Sequence, residues 1–456
     1  MSNLTNCIRR RSRAALLVAA VGVSGVAAAC DDFMKVTNPG AIENPALENP
    51  TYLNLMTNGV IGDFQPAFAW TALFSGVFTD ELRNHHAFFE NPEFDLRTVN
   101  NNNGTYILAV YNGLHRARFL ADSVAGRMET LLADSAGRNL QYARVQAYAG
   151  YAWTLLGEQF CETPINRSAP VTSDKLLEAA LQRFDKSIQA ATAARAAAAS
   201  LTDAAARNRA IATADSLANL SRVGAARAAL GLGAYNPGAR QQALQYAQAV
   251  PTYTGASSDF VFNAYYVRDN NAYSRRVSNP FFEFITSGRW FSLTGTPYEG
   301  QRDPRLPHSD TLYVAADGTR RIFPNSPSAF STYDGTPRGR GFDAVSNIRL
   351  ASALEARYII AEVQGVSAAN LTFINQRRAL GGQVALPTTT SAGDFLAALR
   401  EQRARDFYLD SHRMGDVRRY KRQYNVDLWP RGSYFGSATI QYGTQECWPI
   451  PISETF

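Results

Sequence analysis

Aromatic rings and side-chain amides, crowded into two stretches, are the chemistry-bearing groups of this 456-residue sequence. Residues 83–103 read RNHHAFFENPEFDLRTVNNNN, and residues 260–300 carry Phe260, Tyr265, Tyr273, Phe281, Trp290 and Tyr298 among asparagines, serines and arginines. Rings of this kind stack on the C–H faces of sugars, and planar polar side chains match sugar hydroxyls. His85, Phe88, Phe89, Tyr273, Trp290 and Tyr298 are therefore the candidate ligand-binding residues, against the plain alternative that such rings fill a core. Signals for bond-breaking chemistry are missing. The five histidines form no HExxH and no cysteine-paired spacing, so no metal site is expected. There is no GxSxG, and Gly231-Leu232-Gly233 falls between two helical patterns rather than after a strand, so neither a hydrolase elbow nor a nucleotide loop is indicated. Carboxylate pairs of the glycosidase kind meet only in space and leave no local motif. No catalytic residue and no cofactor are expected. The spacing of Asp406, Asp410, Arg413 and Asp416 predicts one charged helix face, better explained by ion pairs with Arg403, Arg405 and Arg418 than by a ligand.

The N-terminus carries a second kind of chemistry. Arg9, Arg10, Arg11 and Arg13 precede the short apolar run Ala14–Val26, and Ala27-Ala28-Ala29 leads directly into Cys30. Residues 1–29 read as a secretory signal, too short to span a bilayer. Small residues followed at once by cysteine resemble a bacterial lipobox, with Ala27 where leucine is usual, so Cys30 is expected to become the acylated first residue of the mature chain. Several acyl chains, at about 0.8 kcal/mol per buried CH₂, hold a protein on a membrane without any spanning helix. The formal charge of +6 falls to +2 once the four signal arginines are removed, and no basic stripe remains to make phosphate contacts, so nucleic-acid binding is not indicated. The mature chain then has Cys161 and Cys447, which either pair in an oxidising compartment or remain two separate buried thiols.

These groups need a frame. Residues 30–50, with Pro39, Pro45 and Pro50 among acids and asparagines, read as a lipidated cysteine and flexible tether. From 51 to 250 the period is helical: Tyr142, Val145, Tyr148, Ala149, Ala152, Trp153 and Leu156 form one apolar face, with Pro164 as the expected stop. Thirteen alanines lie between Ala190 and Ala212, and two helices are expected to meet at Tyr235-Asn236-Pro237-Gly238. Helical pairs with short turns predict a mainly α, divergent TPR-like scaffold. Residues 251–345 lose helical period and form a long aromatic-rich loop insert, the candidate ligand side. Helical period returns in 346–456, at 349–365, 367–379 and 392–421, and this C-terminal part is expected to pack as one domain with 51–250.

Taken in order, several segments resemble the SusD/RagB family of lipid-anchored nutrient-binding proteins. They are CDDFMKVTNPG from Cys30, AYAGYAWTLLGEQFCETPI at 147–165, RDPRL at 302–306, LEARYIIAE at 354–362, FINQRRA at 373–379, RARDFYLDSHRMGDVRR at 403–419, and Trp448-Pro449-Ile450-Pro451 with Glu454. The resemblance implies a non-catalytic lipoprotein of the cell outer membrane, facing the exterior. Such a protein binds a nutrient, foremost an oligosaccharide, and delivers it to a SusC-like TonB-dependent outer-membrane barrel. The alternative is an envelope TPR-type protein-interaction scaffold with no small-molecule ligand; a helical glycoside hydrolase is a more remote third.

Overall fold

The computed structural model describes residues 47–84, 90–266, 347–435 and 437–455, with short pieces between them at 291–292, 295–299, 301, 303–306, 312–314 and 320–322. Cys30 and most of its tether lie outside the described residues, as do His85, Phe88, Phe89, Tyr273 and Trp290. Residues 50–456 form a single contact unit.

The helices are α1 (Leu53–Phe78), α2 (Asn91–Asp95), α3 (Asn112–Leu132), α4 (Leu140–Gln159), α5 (Ser173–Ala198), α6 (Ala204–Leu232), α7 (Ala239–Gln248), α8 (Ala353–Gln364), α9 (Ala368–Leu380), α10 (Ala392–Asp406) and α11 (Arg413–Tyr424). Short antiparallel strand pairs decorate them: β1 (Arg83–Asn84) with β5 (Phe291–Ser292), β2 (Glu162–Pro164) with β3 (Pro170–Thr172), β4 (Val261–Ala264) with β8 (Ile348–Ser352), and β6 (Leu312–Val314) with β7 (Arg320–Ile322). The architecture is mainly α, built from helical pairs. No described helix is long and apolar enough to cross a membrane.

Local chemistry fixes the helix ends. The Asn139 side chain accepts from Gln141 N and Tyr142 N to start α4, and Asp203 accepts from Ala205 N and Ala206 N to start α6. Ser352, Ser367 and Ser391 cap α8, α9 and α10 in the same way. Asp203 also explains why the alanine-rich stretch is two helices: its side chain satisfies the N–H groups that continuous helix would have used.

The most extensive contacts run α4 to α5 and α5 to α6, making a three-helix layer with α5 at its centre. Phe184 of α5 makes this packing close. A Cβ on Gly150 of α4 would lie 2.6 Å from the Phe184 ring, and one on Gly224 of α6 closer still. Two glycines on facing helices therefore create the slot that the ring fills, edge-on to Tyr151.

Three sequence expectations are corrected. Helix α4 ends at Gln159, before Pro164, because Phe160 is extended and bridges to Trp448, and Pro164 itself belongs to β2. Residues 349–352 are strand rather than helix, since Ile348–Ser352 pair with β4 and the Ser352 cap delays the helix start. Asp406, Asp410, Arg413 and Asp416 do not share one helix face: the chain breaks between α10 and α11, where Leu409 (φ 56°) and Ser411 (φ 63°) adopt left-handed backbone.

That break aims each acid at a different cation. Asp406 accepts from Arg377 of α9 and from Tyr358 of α8, with Arg305 at 3.5 Å. Asp410 pairs with Arg349 of β8 at 2.9 Å, Arg413 with Asp80 beyond α1 at 2.5 Å, and Asp416 with Arg403 at 2.6 Å and Arg419 at 3.0 Å. The Asp303-Pro304-Arg305 turn joins the same set: Arg305 pairs with Asp303 at 2.5 Å, and Arg405 reaches Asp303 at 3.2 Å. Arginines around the Asp406 carboxylate hold it at about 2 despite its burial. These pairs are buried, so removing one partner strands a charge, at a cost of about 3–5 kcal/mol.

The C-terminal tail completes the core. Trp448 packs edge-on against Phe78, Phe94, Tyr106 and Phe160, and its backbone N–H donates to Gln159 O at 3.0 Å. Cys161 and Cys447 are joined as a disulfide, with Cα atoms 5.5 Å apart, which settles the alternative the sequence left open.

Candidate functional site

The residues that shape the insert side come from three regions far apart in sequence. Arg83 and Asn84 form β1, and their register partners are Ser292 and Phe291 of β5. In this antiparallel pair the chain leaves Asn84 toward His85 at the same end where it arrives from Trp290 at Phe291. The backbone thus brings the exits of both ring-rich stretches to one place.

A third region joins them. The loop after α11 presents Tyr434, Phe435, Ile440 and Tyr442. Asp95, at the end of α2, is the tie: its carboxylate accepts from Asn84 N at 2.7 Å, from Tyr434 OH at 2.9 Å and from Arg83 Nη1 at 3.3 Å. Burial pushes the Asp95 carboxyl up to about 6, with the Arg83 charge and these donors pulling the other way. The Arg83 guanidinium sits 5.6 Å from the Tyr442 ring centre, and Tyr442 meets Tyr434 edge-on at 5.4 Å.

Phe435 is the ring this frame leaves to solvent, 48% exposed, with Ile440 at 46%. Its underside rests on Gly295 (φ +80°), where a Cβ would lie 2.5 Å from the ring. Only glycine suits both that backbone and that contact. Gly295 N donates to Glu299 Oε2 at 2.8 Å, which closes the turn. An exposed ring on a rigid support, beside an arginine and two tyrosines, is a platform for stacking rather than for proton transfer.

Of the six candidate residues, Tyr298 is the one within the described residues. It is 6% exposed, its ring meets Tyr408 edge-on at 5.4 Å, and burial holds its hydroxyl well above the usual tyrosine range. Its ring is buried rather than presented to solvent. Much of the asparagine-rich stretch is also structural. Asn103 donates to Glu90 O and Glu93 Oε2 and caps Tyr106 N, while Glu90 accepts from Gly104 N and Thr105 N. Arg97 (φ 56°) spends its guanidinium on the carbonyls of Gln445, Pro430 and Gly443, over the Trp429 ring. Tyr434, Phe435 and Tyr442 were not anticipated. Their segment, RGSYFGSATIQYG, has the same mixture of rings, glycine and serine as the insert, and composition was the available signal. Among the described residues no cluster of histidine, cysteine and acids has the makings of a metal site.

Comparison with solved structures bears on the fold. A SusD/RagB family protein from Bacteroides thetaiotaomicron matches with TM-score 0.55 at 14% identity, over 83% of this chain and 89% of that one. A SusD superfamily protein from Bacteroides fragilis matches with TM-score 0.59 at 12% identity, over 89% and 97%. This chain has the SusD/RagB fold. A third SusD-like structure, a chitin-binding SusD homolog from Flavobacterium johnsoniae, matches with TM-score 0.57 at 13% identity, over 83% and 88%. No family model and no curated protein matches the sequence. The likeness is thus one of SusD-like architecture, at an identity too low to transfer side-chain roles.

Proposed function

We propose that this protein is a non-catalytic surface lipoprotein that binds an oligosaccharide on the face around β1 and β5 and hands it to a SusC-like TonB-dependent barrel. The observation that carries this reading is the pairing of Arg83–Asn84 with Phe291–Ser292 beside the exposed ring of Phe435. It joins the backbone next to both ring-rich stretches beside an exposed ring, which supports a stacking site for sugar. The SusD-like fold supports the reading, as does the chitin-binding activity of one structural neighbour. Cys30 is the proposed anchor, with the tether holding the globule clear of the outer membrane. His85, Phe88, Phe89, Tyr273 and Trp290 are proposed as further ring and amide contacts.

Three measurements test it. Retention of the mature chain on insoluble polysaccharides, chitin among them, should be reduced by Phe435→Ala; indifference to that substitution would move the site elsewhere. Radioactive palmitate should label the wild type and not Cys30→Ala. Gentle detergent extraction of outer membranes should bring a TonB-dependent barrel down with the protein, and a barrel-free preparation would contradict the delivery step.

A further inference from the structure

A cavity of about 750 Å³ opens where the end of α4, the start of α5, the end of α6 and one side of α11 meet, beside the Cys161–Cys447 disulfide. Its volume is that of a small-molecule site rather than a packing defect. The floor is small and apolar, from Leu177, Gly231 and Ala234, and the wall is strongly charged.

Most of that charge is already spent. Glu158 is held by both arms of Arg227, Arg419 is shared by Glu362 and Asp416, and Lys421 is paired with Glu446 and Asp427. Two guanidiniums are different. Arg418 donates through Nη1 to the carbonyls of Gly157, Glu158 and Phe160, with Nη2 3.7 Å from Cys161 Sγ, and Arg422 donates through Nε to Ala234 O. Among the described residues neither pairs with a carboxylate. The Arg422 guanidinium carbon lies 4.0 Å from the centre of the Tyr235 ring, and among the described residues its Nη1 and Nη2 make no hydrogen bond. Asp174, at the start of α5, also lines the cavity; it accepts from the Thr172 hydroxyl at 2.5 Å and makes no salt bridge among the described residues. Asn425, held at φ 53°, adds an amide to the rim.

Guanidiniums without a carboxylate partner, lining one cavity with an acceptor and an amide suited to hydroxyls, match a ligand that is both acid and polyol. We propose that this cavity is a second binding site, for a sugar acid of the uronate class. Its carboxylate pairs with Arg422 and Arg418, and its hydroxyls meet Asp174 and Asn425. The proposal is independent of the Phe435 face, and its failure would leave that reading standing.

Calorimetry on the mature chain with D-glucuronate and D-glucose tests it. Glucuronate should bind saturably and glucose at least about tenfold more weakly. Arg422→Glu, at an exposed position, should weaken glucuronate about tenfold or more with the melting temperature unchanged, because it turns attraction into repulsion. Asn425→Gly, which suits the left-handed backbone, should weaken it several-fold and serves as the second variant should the first fail to fold. Phe435→Ala should leave glucuronate affinity as it was. The proposal is overturned by absence of saturable heat up to about 10 mM glucuronate, by equal binding of glucose, by indifference to both cavity variants, or by acetate competing as well as glucuronate.

Discussion

The Tyr434 hydroxyl donates to the Asp95 carboxylate at 2.9 Å, and through that one acceptor the C-terminal loop, α2 and β1 become a single support. Asp95 is buried and acts as the hub, so the geometry of the exposed Phe435 ring depends on a bond its own segment makes one residue earlier. Tyr434→Phe keeps the ring and removes the donor. Stability should fall by about 1–2 kcal/mol in denaturant titration, with a parallel loss of saccharide affinity. Unchanged affinity would mean that the loop is positioned by other contacts.

Glu81 gives the pH dependence its sign. Its carboxyl is buried and pushed up to about 8 by desolvation, although Leu409 N donates to it. Because the folded-state value lies above the unfolded one, the native state binds the extra proton. Stability is therefore greatest below about pH 4.5 as far as this group is concerned, and falls as the pH rises through the window up to about 8. Glu81→Gln should flatten that fall, raising relative stability near pH 8 by on the order of 3 kcal/mol. A wild-type and variant difference that stays constant between pH 5 and 8 would contradict the assignment.

Gly224→Ala drives a methyl group into the Phe184 ring and should destabilise the protein by about 1–3 kcal/mol. Combined with Phe184→Leu, much of that penalty should disappear, because the two sites share one slot. Strictly additive single and double variants would show that the slot is not the reason for the glycine.

The helical scaffold was readable because its period, caps and turn signals agree: Asn236-Pro237-Gly238 lies where α6 hands over to α7, and Ser367 lies where α9 begins. What the sequence hid are features decided by distant partners. Residues 349–352 have apolar spacing that fits a helix, but β4 offers a ladder that wins. The run from Arg403 to Arg419 looks like one charged helix, yet Arg377, Arg349 and Asp80 pull its acids and Arg413 in different directions, and the chain breaks to reach them. The same limit applies to the face. Tyr298 has the right side chain but faces Tyr408, whereas Phe435 stands exposed because Gly295 leaves room beneath it.

The Cys161–Cys447 link closes a loop across 286 residues and ties the tail carrying Trp448 to the end of α4. Cys161→Ser with Cys447→Ser should lower stability by about 4 kcal/mol under oxidising conditions and have no effect in strong reductant. Equal stability of the oxidised wild type and the double variant would show that the tail is held by Trp448 packing alone.

Isothermal calorimetry of the mature, unacylated protein against a panel of neutral oligosaccharides tests the central claim most directly. Saturable binding to at least one member, weakened about tenfold or more by Phe435→Ala at an unchanged melting temperature, is the result expected of a supported ring on a sugar-binding face. Silence across the panel, or release of shorter sugars from any member, would contradict it.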